Sequence, residues 1–156
     1  MNTLQNYLRI PPISLRESAS MLEASQIMSN RSIRHLLILD MNGKLKGILS
    51  DRDIQRSIEQ TQVSKLEQVQ SITSDKLVSD YMTWPVCTVS ATTSLDQAAR
   101  IMLEQRISSV VILDRADHPV GIVTTDDILH AFVHERTRTL AKQKGRFLAY
   151  FSGDEY

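Results

Sequence analysis

The sequence predicts an α+β fold made of two copies of one unit. Each unit is a helix–strand–strand–helix around a small sheet, and the two pack with pseudo-twofold symmetry. Three observations carry this. The phrase GILSDRD at residues 47–53 returns as GIVTTDD at 121–127. The shift between them, 121 minus 47 or 74 residues, holds without a gap from about residue 4 to residue 56. Each copy also sets a stretch of helical apolar spacing before two short apolar runs ended by turns.

The shift pairs Tyr7 with Tyr81, Pro11 with Pro85, Ser20 with Ser94 and Ala24 with Ala98. It continues through Ile27-Met28 and Ile101-Met102, Ile38-Leu39-Asp40 and Ile112-Leu113-Asp114, and Asp53-Ile54 and Asp127-Ile128. One register kept this long marks an internal repeat. The chain divides into a first repeat at 1–60, a polar linker at 61–76, a second repeat at 77–135 and a C-terminal helical tail at 136–156. One unit of this size buries too little apolar surface to stand alone. Two can pack sheet against sheet.

The elements follow in order. An extended lead-in, LRIPPISL or TWPVCTV, opens each copy. Ser20 and Ser94 are helix-start signals. After them Met21, Ala24, Ile27 and Met28, and likewise Leu95, Ala98, Ile101 and Met102, recur on one helical face. Methionines on such a face read as core filler rather than metal ligands. HLLILD and SVVILD read as buried strands, MNGK and RADH as turns, and LKGILS and PVGIVT as second strands. New helices open at Ser50 and Thr124.

Lys plus Arg number 18, as do Asp plus Glu, which argues against a strongly basic nucleic-acid binder. No apolar run approaches the length of a membrane span, and no leader peptide is expected at the N-terminus. Cys87 is the sole cysteine, so neither an internal disulfide nor Cys-pair zinc ligation is expected. These features fit a cytoplasmic protein.

The repeated phrase has two physical readings. Ser50-x-x-Asp53 and Thr124-x-x-Asp127 resemble capping boxes, in which hydroxyl and acid satisfy free groups at a helix start. The same atoms suit a ribose phosphate: free helix N–H groups attract an anion, and an Asp accepts from ribose hydroxyls. Gly47 and Gly121 allow another backbone or a ligand to come close. Spacing alone does not separate the two readings.

Two such units, each ending in Gly-apolar-x-(Ser/Thr)-x-x-Asp, resemble the CBS domain pair, or Bateman module. The stretches YMTWPVCTVSATTSLDQAARIM and IRHLLILDMNGKLKGILSDRDI carry the resemblance, which covers about residues 4–135. It implies a stand-alone regulatory sensor with no enzyme activity of its own and no required cofactor. Its regulatory ligand would be an adenosine compound: AMP or ATP by preference, or ADP, an adenosylmethionine-like molecule or a cyclic dinucleotide. Asp53 and Ser50 would serve one site, Asp127 and Thr124 the other. Arg34 and His35 in one repeat, and Ser108 and Ser109 in the other, would line the clefts. The base would enter between walls near Ile13-Ser14 and Cys87-Thr88. Leu37 and Val111 stand where the family commonly has a proline.

Arg52, Arg34 and His35 could neutralise phosphate, whereas Asp126, at the position of Arg52, would repel it. The first site is therefore expected to suit a phosphorylated ligand better. The resemblance also implies a homodimer formed through the helices, and an effector protein that the sequence does not name.

Other features carry blander readings. His130 and His134 stand four apart on the last helix, a chelating spacing without a third ligand. Residues 136–146 hold five basic side chains and precede Phe147, Tyr150, Phe151 and Tyr156, which could dock on a partner. Trp84 is expected to pack over the lead-in. A ligand-free dimerisation and interaction module acting through the tail, and nucleic-acid binding through 136–146, are the rival readings.

Overall fold

A computed structural model of the chain describes residues 3–7, 12–59 and 75–134. The tail at 136–156 and most of the linker lie outside the described residues.

A 3₁₀ turn at Leu4–Tyr7 comes first. The first repeat follows as β1 (Ser14–Arg16), α1 (Met21–Arg31), β2 (His35–Leu39), β3 (Leu45–Ser50) and α2 (Asp51–Glu59). A second 3₁₀ turn at Val78–Asp80 leads into β4 (Thr88–Ser90), α3 (Leu95–Gln105), β5 (Ser109–Leu113), β6 (Pro119–Thr124) and α4 (residues 125–134). The helices and paired strands fall where the periodicity predicts them. The lead-in, read only as extended, adds a third strand. β1 runs parallel to β2 with Ser14 opposite Leu37, and β4 runs parallel to β5 with Thr88 opposite Val111. The two sheets have the same order, β1-β2-β3 and β4-β5-β6.

Local chemistry sets the ends of the elements. The Ser20 hydroxyl accepts from the Glu23 N–H at 3.1 Å. Ser94 does the same for Gln97 at 3.3 Å, and the Gln97 side chain accepts from the Ser94 N–H at 3.1 Å, completing a capping box. In the turns between paired strands, one oxygen of Asp40 accepts from the Asn42 and Lys44 N–H groups, and one oxygen of Asp114 from those of Ala116 and His118. These backbone donors hold both carboxyls below their ordinary pKa. The repeated Asp40/Asp114 is therefore a turn residue.

Each repeat has its own core. Met21, Ala24 and Met28 of α1 pack on Leu36, Ile38 and Leu49. Ala98 and Met102 of α3 pack on Val110, Ile112 and Val123. Each core also takes in residues from the start of the other repeat, and partly buried Tyr81 and Met82 pack on the first. Val78 sits in the first core and Leu4 in the second, both fully buried. The exchange is reciprocal: the Leu4 N–H donates to the Thr93 carbonyl at 2.9 Å, and the Val78 N–H to the Ala19 carbonyl at 2.9 Å.

Leu37 and Val111 belong to neither cluster, yet are 1% and 0% exposed. Alternation along a strand points them away from the helices. Each sheet thus has a second buried apolar face, on the side away from its own helices, of the kind that packs sheet against sheet at a seam between the repeats.

Candidate ligand-binding site

Both repeated phrases lie at this seam. Ser50 ends β3 opposite His35, and Thr124 ends β6 opposite Ser109. The helix after each strand starts against the residue that precedes the first core strand. The Asp51 N–H donates to the Arg34 carbonyl at 3.1 Å, and the Thr125 N–H to the Ser108 carbonyl at 3.0 Å. Six of the residues expected to line the clefts are thus drawn to the two helix starts: Ser50, His35, Arg34, Thr124, Ser109 and Ser108. Ser14 and Thr88 lie one strand away, exposed on the sheet edges beside Leu37 and Val111. The carbonyls of Ile13 and Cys87 accept from the Leu37 and Val111 N–H groups at 3.1 Å each, which pins the two expected base walls to the central strands.

The capping reading is realised in both copies. The Asp53 Oδ2 accepts from the Ser50 N–H at 2.8 Å and from its hydroxyl at 2.7 Å. The Asp127 Oδ2 accepts from the Thr124 N–H at 2.8 Å and its hydroxyl at 2.7 Å. A cap occupies one oxygen of each carboxylate and leaves the other, so it does not conflict with a second role. Asp53 is buried and also ion-paired with Arg56, one turn further along α2. The sequence reading missed Arg56; its i,i+3 spacing from Asp53 was the available signal.

The charged side chains cross between repeats. Arg34 Nη2 donates to Asp126 Oδ2 at 2.7 Å. His35 Nε2 is hydrogen-bonded to the Ser108 hydroxyl at 3.1 Å. Asp126 is therefore balanced by a cation of the other repeat. Arg52 is exposed and makes no ion pair among the described residues. Burial pushes the His35 imidazole below its ordinary pKa; the Asp51 carboxylate opposes this and the Arg34 guanidinium adds to it.

The second repeat's lead-in runs along the edge of β3. Ile48 and Thr83 exchange backbone hydrogen bonds at 3.2 and 2.8 Å. Gly47 is needed here, because a Cβ would overlap the Met82 side chain. What approaches Gly47 is thus another part of the chain. Trp84, next along, does not pack over the lead-in: it is 72% exposed. The chain bends at residues 84–85, just past the Thr83 bridge to β3, and the indole stands in solvent. His130 and His134 lie exposed on α4.

The family model for the CBS domain matches residues 4–60 and again 78–134. The chain belongs to the CBS domain family. Among its relatives is L-aspartate semialdehyde sulfurtransferase of Methanocaldococcus jannaschii, 32% identical over 129 residues, or 83% of this chain and 23% of that protein. Another is the chloroplastic CBS domain-containing protein CBSX2 of Arabidopsis thaliana, 25% identical over 143 residues, 80% of this chain and 60% of that one. The chain spans about a quarter of the length of the first of these. Among solved structures, the CBS pair of protein MJ0100 in complex with 5′-methylthioadenosine and S-adenosyl-L-methionine superimposes with a TM-score of 0.75 at 30% identity, covering 86% of this chain and 98% of that one. CBSX2 in complex with AMP gives a TM-score of 0.70 at 25% identity, covering 87% and 99%. This CBS pair therefore has the fold of proteins that hold adenosine compounds. Among its described residues no helix is long and apolar enough to cross a membrane.

Proposed function

We propose that this CBS pair is a regulatory sensor that binds an adenosine-type nucleotide or nucleoside in the clefts between its repeats. The observation that carries the reading is the pair of Ser/Thr–Asp helix starts at the seam, each with a carboxylate held by its own cap. Such a carboxylate suits ribose hydroxyls, and the neighbouring helix N–H groups and Arg52 suit a phosphate. The bound AMP, 5′-methylthioadenosine and S-adenosylmethionine of the related structures support the ligand class. AMP or ATP is the favoured ligand, and the exposed Arg52 favours phosphate at the first cleft. The chain acts by binding, not catalysis, in the cytoplasm. A ligand that prefers one packing of the two repeats over another shifts the population between them.

A second reading keeps the pair as an interaction module. Leu103, Leu129, Phe132 and Val133 on the second repeat's helices are all exposed, whereas the first repeat has Ser29, Gln55, Ile58 and Glu59 at the equivalent positions. That face supports homodimerisation through the helices and docking of an effector protein.

Thermal unfolding against AMP, ADP, ATP, 5′-methylthioadenosine and S-adenosylmethionine separates the readings. A ligand at about 100 times its Kd adds about 2.7 kcal/mol to stability. A shift with one compound, reduced by Asp53→Ala or Asp127→Ala, is the sensor's result. A flat panel with a dimer that Leu129→Glu dissociates is the interaction module's.

A further inference from the structure

The two repeated carboxylates are built alike on one oxygen and differently on the other. In both, Oδ2 accepts from the capping residue's N–H and hydroxyl. In the first repeat, Oδ1 of Asp53 accepts from the Arg56 guanidinium. In the second, Asp127 Oδ1 has no partner among the described residues. The residue equivalent to Arg56, at 56 plus 74 or 130, is His130, which lies exposed without a bond to Asp127.

A carboxylate oxygen that already accepts two hydrogen bonds has no further lone pair for a ribose hydroxyl. Oδ1 is the oxygen left for a ligand: in the second repeat both of its acceptor positions are open, whereas in the first Arg56 takes one of them. Asp53 has a side chain just 8% exposed, so water competes poorly for its charge and the Arg56 contact is sheltered on that side. Arg56 itself is 55% exposed, so a ligand can displace it at moderate cost.

We propose that Arg56 is an internal competitor for the first cleft: its guanidinium takes one of the two acceptor positions that a ribose diol would use on Oδ1, so nucleoside fills the Asp127 cleft first. This rests on reading the clefts as nucleoside sites. The two repeats then act over different concentration ranges of one ligand, with Arg56 setting the offset. Phosphate complicates the comparison, because a displaced Arg56 could turn to it. A phosphate-free probe isolates the carboxylate.

The test is calorimetric titration of the full chain with 5′-methylthioadenosine. Asp127→Asn leaves the first cleft for study, and Asp53→Asn leaves the second. In the Asp127→Asn background, Arg56→Ala tightens binding by about two- to fivefold, the range of an exposed ion pair. In the Asp53→Asn background, His130→Arg weakens it by a similar factor. Binding to the second cleft with no gain, or a loss, from Arg56→Ala overturns the proposal and leaves the sensor reading standing. Binding to neither cleft by 5′-methylthioadenosine or AMP overturns the sensor reading itself. Arg56 is exposed on its helix, so its alanine variant folds; the His130→Arg arm reads the same effect by gain of the competitor.

Discussion

Arg34 of the first repeat and Asp126 of the second lie 2.7 Å apart, although the repeat does not make them equivalent. The counterpart of Arg34 is Ser108, and that of Asp126 is Arg52. One side of the seam thus holds an ion pair where the other holds a serine and a free arginine. The pseudo-twofold axis relates two backbones but not two charge patterns.

Because both partners of this pair are more than half exposed, it contributes little to folding. A double-mutant cycle with Arg34→Ala and Asp126→Ala should give a coupling of about 0.2–1 kcal/mol in denaturant unfolding. The coupling should shrink in 1 M salt. A coupling several times larger would mean that the pair is shielded from water.

His35 makes stability depend on pH. Its folded pKa lies below the ordinary 6.5, so the folded chain resists protonation. Between that lowered value and 6.5 the unfolded chain holds more protons, and stability rises with pH. The contribution is complete above 6.5 and is lost as pH falls through the window. Melting temperature followed from about pH 5 to 8 should fall on the acid side, and His35→Gln should flatten that limb. Parallel profiles for the two proteins would remove His35 as the cause.

Gly47→Ala should destabilise the fold by about 1–3 kcal/mol, the usual range for overpacking. The added methyl meets Met82, whose neighbour Thr83 is tied to Ile48 on both sides. Pairing it with Met82→Ala should recover part of the loss, since the obstructing side chain is then gone. No recovery would place the strain in the backbone instead.

Leu4→Ala should cost about 2–5 kcal/mol, although Leu4 sits outside both strand–helix units in sequence. Its side chain fills the second repeat's core, so hydrogen exchange should speed first at Val110, Ile112 and Val123. Faster exchange confined to the first repeat would contradict the exchanged packing.

The repeat was legible because each copy writes its elements in short-range code. Ser20 and Ser94 cap helices through atoms three residues away, and Leu36 and Ile38 alternate with Leu37 along one strand. The seam was less legible. Nothing in local spacing says that Arg34 turns to Asp126, 92 residues on, instead of to the Asp53 of its own repeat. The 3₁₀ turns holding Leu4 and Val78 are too short to show a period, so their exchange between cores left no trace in the pattern. Trp84 was misjudged for a related reason: aromatic character favours burial, but the bend after Thr83 leaves the indole in solvent.

The crossing of Leu4 and Val78 makes each half of the chain the stopper of the other. Cutting the backbone within residues 60–74 would sever the covalent tie without freeing the halves, because each would still be corked by its sister. A half made alone would have an open core and could seal it only by taking the stopper of another identical half. Writing both copies into one chain thus turns a meeting between strangers into an arrangement fixed at synthesis, in which the stopper always arrives with the vessel it closes.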